Sequence, residues 1–142
     1  MEAPISGSGH VLTTSVMFHD DAGQLNITDV FILINDRARG ADGTGGCVLW
    51  DRRATSDVFL LDDVGKKWLG PHKAGSDTVI VNSQCLVSLK NTGLAEVNSD
   101  LQWVTSIAFS RRFSGPKQIY AKAVNRQHLE GNLTLLGSWT AN

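Results

Sequence analysis

Leu101-Gln102-Trp103-Val104-Thr105-Ser106-Ile107-Ala108-Phe109 alternates without a break: Leu101, Trp103, Thr105, Ile107 and Phe109 fall on one face, Gln102, Val104, Ser106 and Ala108 on the other. Successive side chains of a strand point to opposite sides, so a period of two predicts a long strand with its aromatic face inward. Upstream, residues 10–18 place Leu12, Val16 and Phe18 on one face and end at Asp20-Asp21-Ala22-Gly23, where Asp can bond its own backbone and Gly can take positive φ. Residues 29–35 are a short, nearly continuous apolar run rich in β-formers, which predicts a central strand buried on both faces. Residues 47–51 and 58–61 read as neighbours in one sheet, with a reversal at Asp62-Asp63-Val64-Gly65 before Trp68. Residues 70–75 read as a loop. Strands follow at 78–81 and, after a corner at Asn82-Ser83, at 85–89, where Cys85, Val87 and Leu89 share a face. Residues 117–124 and 133–140 complete about nine strands, and Gly137 inside the last marks a bulge or a close backbone approach. Turn signals every eight to fifteen residues, with almost no helical period, define an all-β antiparallel sandwich of immunoglobulin-like type.

Length and charge narrow the functional classes. A chain of 142 residues is one domain, able to bury roughly 68–70% of its unfolded surface. The organisation expected is a flexible lead-in over residues 1–9 and a single sandwich over 10–142. With 13 basic against 14 acidic groups there is no polarity to attract nucleic acid. No apolar run reaches the roughly 18–20 residues that cross a bilayer, so membrane insertion is not expected. The start, Met1-Glu2-Ala3-Pro4, has neither the basic nor the apolar region of a secretory signal.

Cys47 and Cys85 lie 38 positions apart with no CxxC and no His ladder, so a four-ligand zinc site is not expected. Each sits in an apolar, alternating stretch, which suits one bridge between strands; two free buried thiols are the alternative. A bridge implies an oxidising compartment, secreted or cell-surface, with the signal or upstream domains outside this sequence.

No HExxH, GxSxG, P-loop or GxGxxG pattern occurs, and His10, His19, His72 and His128 are scattered over different segments. Catalysis is therefore not expected. Asp20, Asp21, Asp62 and Asp63 could offer hard oxygen ligands to a structural calcium ion if adjacent turns brought them to one end of the sandwich, although turn formation explains them equally. No other cofactor is implied. Strand phase assigns Trp103 to the core, and Trp139 with Leu133 and Leu135. Trp50, out of phase with Cys47 and Leu49, and Trp68, after a hairpin, could present flat rings to a sugar. The competing reading packs Trp50 on the second face of a central strand and Trp68 at the end of the sandwich. Asn26-Ile27-Thr28 and Asn132-Leu133-Thr134 match the glycosylation acceptor pattern, a short motif that often arises by chance.

The blocks Cys47-Val48-Leu49-Trp50-Asp51, Leu60-Leu61-Asp62-Asp63-Val64-Gly65-Lys66-Lys67-Trp68, Asn82-Ser83-Gln84-Cys85, Gly115-Pro116-Lys117-Gln118-Ile119-Tyr120 and Gly137-Ser138-Trp139-Thr140, in this order, resemble a domain of about 140 residues. That domain recurs beside immunoglobulin-like repeats in large secreted or surface-exposed bacterial proteins. The resemblance covers nearly the whole chain and implies a Cys47–Cys85 disulfide, with other domains of the same parent protein as partners. It carries no assigned catalytic residues. The expected function is a non-catalytic structural or adhesive module; the alternative is a carbohydrate-binding module that takes a polysaccharide or surface glycan on Trp50 and Trp68.

Overall fold

The computed structural model describes residues 5–39 and 42–142. Among the described residues eleven strands form two sheets. The strands are β1 (Ser8–Gly9), β2 (Val11–Phe18), β3 (Ile27–Asp36), β4 (Cys47–Arg52), β5 (Asp57–Leu61), β6 (Trp68–Lys73), β7 (Val79–Val81), β8 (Cys85–Val97), β9 (Asp100–Phe109), β10 (Gly115–Asn125) and β11 (Thr134–Ala141). The larger sheet runs β1-β11-β10-β3-β4-β5-β6 and the smaller β2-β9-β8-β7. This is a β-sandwich, with the order of an immunoglobulin-like domain whose larger sheet is extended beyond its central strands.

Alternation fixes what faces inward. On β9, Leu101, Trp103, Thr105, Ile107 and Phe109 are all buried; they meet Leu12, Val16 and Phe18 of β2 and Val87 and Leu89 of β8 from their own sheet, and Val30, Ile32, Ile34, Leu49, Val58 and Leu60 from the other. Trp103 is 0% exposed. β3 lies between β10 and β4, so Val30, Ile32 and Ile34 face the core while Phe31 and Leu33 look outward, as a central strand apolar on both sides requires.

Four expectations are corrected. Residues 70–75 do not form a free loop: Trp68–Lys73 is a strand paired with β5, and the pair shifts register between Val58 and Leu60, where Gly70 and a cis Pro71 sit. Gly and Pro disguise it, yet both are tolerated at the bulge of an edge strand. β8 continues to Val97 past a second register shift, between Ser88 and Gly93. The lead-in is not wholly free. Residues 1–4 lie outside the described residues, but Ile5 is buried, and Ser8–Gly9 pair with β11 in parallel, which makes the larger sheet mixed rather than antiparallel throughout. Gly137 permits this docking, because a Cβ there would stand 1.9 Å from the Ile5 carbonyl oxygen. Finally, Ile119 pairs with Gly137 but Tyr120 pairs with Leu135, so Leu136 is the extra residue of a bulge. The bulge inverts the phase: Leu136 is buried, Leu135 is exposed, and Trp139 packs half-buried on the lead-in with its Nε1 donating to the Gly9 carbonyl at 3.1 Å.

Cys47 of the larger sheet and Cys85 of the smaller are bonded, both buried. Around them the end of the sandwich is cross-linked by short polar contacts. Asn82 Nδ2 donates to the carbonyls of Gly46 (3.1 Å) and Leu61 (3.0 Å), while its Oδ1 accepts from the amides of Gln84 and Cys85. Asp63 accepts from the Ser83 amide at 2.8 Å and from the Ser83 hydroxyl, and Ser110 Oγ donates to the Ser83 carbonyl at 2.7 Å. The corner expected at Asn82-Ser83 is thus an Asx turn that fastens one sheet to the other.

Candidate functional site

Two places on the molecule depart from what a minimal sandwich needs: an aromatic cluster on the outer face of the larger sheet, and a buried carboxylate beneath it. Phe31, Trp50 and Phe59 are direct cross-strand partners on β3, β4 and β5. Their rings stack in a row, Phe31 on Trp50 with centroids 5.8 Å apart and planes 15° apart, and Trp50 on Phe59 at 4.3 Å and 21°. Such stacked aromatic pairs stabilise a sheet beyond the area they bury. Trp68 on β6 closes the group at 5.4 Å from Trp50, its plane turned 65° away. Cations cap the row: the Arg52 guanidinium lies over Trp50 and Phe59, and Lys122 Nζ over Phe31 at 5.0 Å. The Trp50 indole is oriented by Nε1, which donates to Asp29 at 2.6 Å.

The structure therefore brings Trp50 and Trp68 together, both half-buried, on one face. They are not coplanar. Phe31 and Phe59 flank the two faces of the Trp50 ring, so what Trp50 offers to solvent is its edge. The sequence reading missed Phe31 and Phe59. Their signal was present: both lie out of phase with inward neighbours, Val30 and Ile32 for one, Val58 and Leu60 for the other, so each had to occupy the outer face.

The four aspartates are divided. Asp20 and Asp21 precede β3, whereas Asp62 and Asp63 follow β5, and since Asp57 pairs with Arg52 and Arg52 with Asp29, the two pairs stand at opposite ends of the larger sheet. That corrects the expectation of a common site. Each pair serves its own turn. Asp20 accepts from the Ala22 amide (2.8 Å) and the Asn26 side chain, and Asp62 accepts from the Lys66 amide (2.9 Å), which holds its carboxyl below the usual carboxylate range. Asp21 faces His19, which also bonds Asp100 at 2.7 Å; that second bond above all raises the imidazole above its ordinary value. Among the described residues no three His, Cys, Asp or Glu are grouped to hold a metal ion.

Asp51 is the second anomaly. It faces inward on β4 between Val30 and Val58, is 1% exposed, and neither carboxylate oxygen has a hydrogen-bond partner among the described residues. Burial, reinforced by the carboxylates of Asp29 and Asp57, pushes its carboxyl up to about 7. Sequence alternation places Asp51 on the Cys47 and Leu49 face, but nothing in a sequence shows that a polar group there would be left alone.

The chain matches no family model and no curated protein. The fold defines a disulfide-bonded β-sandwich, and its function rests on its own geometry.

Proposed function

We propose that this domain is a non-catalytic extracellular module, a structural or adhesive unit of a larger exported bacterial protein. The observation that carries the reading is the buried Cys47–Cys85 bond between the two sheets, set in the Asn82, Asp63 and Ser83 hydrogen bonds. Disulfides persist in oxidising compartments, and a bond joining sheets suits a domain that must hold its shape outside the cell. No helix among the described residues is long and apolar enough to cross a membrane. The test is to purify the isolated domain under oxidising conditions and measure its free thiols, mass in solution and resistance to protease. A folded, thiol-free monomer supports the reading; a chain that purifies with two free thiols and equal stability sinks it.

A second reading, carbohydrate binding, is favoured by the half-exposed Trp50 and Trp68 on one face beside Arg52 and Lys122. With the faces of Trp50 flanked, the contact would fall on its edge and on Trp68. A glycan array run with and without calcium tests it, and the reading requires Trp68→Ala to abolish any binding while leaving the melting curve in place.

A further inference from the structure

The end of the sandwich away from the disulfide carries a cleft of about 340 Å³, lined by Leu25, Ile27, Thr28, Arg53, Glu96 and Arg126. It spans both sheets, since Ile27 and Thr28 open β3 and Glu96 closes β8, and it shares no residue with the aromatic cluster. Its volume lies within the range of small-molecule sites, which starts at roughly 300 Å³.

The two guanidiniums are fixed by neutral acceptors. Arg53 donates to the carbonyls of Gln24 and Ile27 and to the Gln24 side-chain oxygen. Arg126 Nε donates to the Leu25 carbonyl at 2.9 Å, and the Arg126 amide to the Asn26 carbonyl at 2.9 Å. Carbonyls orient a guanidinium without cancelling its charge. The one carboxylate in the cleft, Glu96, reaches only Arg53, at 3.4 Å and from a largely exposed position. Among the described residues no carboxylate pairs with Arg126, whose two terminal nitrogens remain for a bidentate contact. Two preorganised cations thus stand against one loosely placed anion in a chain of net charge -1.

The remaining walls select among anions. Leu25, strongly exposed, gives an apolar surface above the buried Ile27, and the oxygens of Thr28 and Glu96 can accept hydroxyl protons. A simple inorganic anion would use the guanidinium charge but leave the apolar wall and the hydroxyl-accepting oxygens bare. A peptide C-terminus would bring a carboxylate but no hydroxyls. A sugar acid brings all three: one carboxylate, ring hydroxyls and a C–H face. We infer that this cleft binds a uronic-acid residue of an acidic polysaccharide, with the free terminal nitrogens of Arg126 on its carboxylate and the charge of Arg53 beside it, Glu96 and Thr28 on its hydroxyls, and Leu25 against its ring. The inference goes beyond the module reading, which stands on the disulfide and survives if the cleft proves empty of ligand.

Titration calorimetry on the oxidised domain with trigalacturonate, its methyl ester, sodium acetate and a tripeptide with a free C-terminus tests it. Trigalacturonate is expected to bind, about tenfold or more tighter than its uncharged ester, with a similar loss in Arg126→Met and a gain of a few-fold in Glu96→Gln, which keeps an acceptor and removes the competing charge. No binding of trigalacturonate, an ester that binds as well as the acid, or acetate or tripeptide binding as tightly as the sugar overturns the assignment. Should Arg126→Met fail to fold, the ester comparison and Glu96→Gln, at an exposed position, decide it.

Discussion

The two ends of this sandwich are built on opposite principles. At one, a covalent bond and hydrogen bonds of Asn82, Asp63, Ser83 and Ser110 tie the two sheets together. At the other, Asp51 is buried with no hydrogen-bond partner among the described residues, Asp29 and Asp57 add like charge beside it, and the guanidiniums of Arg53 and Arg126 rest mainly on carbonyls, with Glu96 reaching Arg53 at 3.4 Å. The first end reads as a fastening. The second holds a buried carboxyl that keeps its proton up to about pH 7 and two guanidiniums met mainly by neutral oxygens, and burying a polar group without a partner costs stability. The covalent fastening and the unpartnered carboxyl therefore lie at opposite ends of the sandwich, and perturbing each end should give effects of different size, sign and pH dependence.

The largest loss is expected at the fastened end. Opening the bond in Cys47→Ala/Cys85→Ala releases a loop closed across a sequence separation of 38 residues, and chain entropy puts the cost at about 4 kcal/mol. Urea unfolding of the oxidised and double-Ala proteins measures it. A midpoint unmoved by the substitution would mean that the hydrogen bonds alone hold this end.

At the open end the effect has the reverse sign. The Asp51 carboxyl, at 3.8 when unfolded and about 7 when folded, keeps its proton in the native state between those values, so the native state loses stability as pH rises from about 4 to 7. The shift corresponds to roughly 4 kcal/mol at most. Asp51→Asn keeps the shape and removes the charge, so it should stabilise the protein by a few kcal/mol at pH 8 and do little at pH 4. The raised imidazole of His19 slopes the same way, since its contribution is present below about 6.5 and is lost as pH rises. Melting curves from pH 4 to 8 separate the two: Asp51→Asn should flatten most of the slope, and an unchanged slope in that variant would remove Asp51 from the account.

The same division explains what could be read in the sequence. The period of two in β9 determined its buried face residue by residue, and the Asn82-Ser83-Gln84-Cys85 block announced a corner that the structure makes an Asx turn. What escaped were features set by partners distant in the chain. β6 hides behind Gly70-Pro71 because only its pairing with Val58 and Leu60 accommodates them. The docking of Ile5 depends on the missing side chain of Gly137, 132 positions away, and the isolation of Asp51 depends on what its neighbours fail to supply. Local periodicity shows which way a side chain points only while the register holds, as the bulge at Leu136 demonstrates, and it does not show what waits there.

A smaller loss tests whether the fastened end depends on polar contacts as well as on the bond. Asn82 makes four hydrogen bonds that cross between the sheets or close its own turn, and Asn82→Ala leaves the Gly46 and Leu61 carbonyls and two amides without their partner. Orphaned groups of this kind cost about 1–3 kcal/mol each when buried and far less once water reaches them, so a total near 2 kcal/mol is expected at this half-exposed corner. Hydrogen exchange should rise at Gln84 and Cys85, whose amides Asn82 Oδ1 accepts, and stay level on β9. Uniform loss of protection would show the end to be no separate unit.

The smallest effect expected is that of calcium, and it bears on both ends at once. Stabilisation by a bound ion grows as RT ln(1 + [L]/Kd), so even a millimolar site would raise the melting temperature visibly at tens of millimolar calcium. Such a site needs six to eight oxygens converging within about 2.6 Å. At the fastened end Asp62 and Asp63 are turned onto the Lys66 and Ser83 amides, and at the open end Asp20 is turned onto Ala22 and Asn26, leaving Asp21 beside a histidine that competes for it. With one aspartate pair per end, neither group supplies more than two carboxylates, and each carboxylate is already an acceptor for neighbouring groups. Melting curves in calcium and in chelator should coincide. A shift of several degrees would mean that one turn rearranges around the ion, and repeating the scan with Asp21→Asn and with Asp63→Asn would show which end does so.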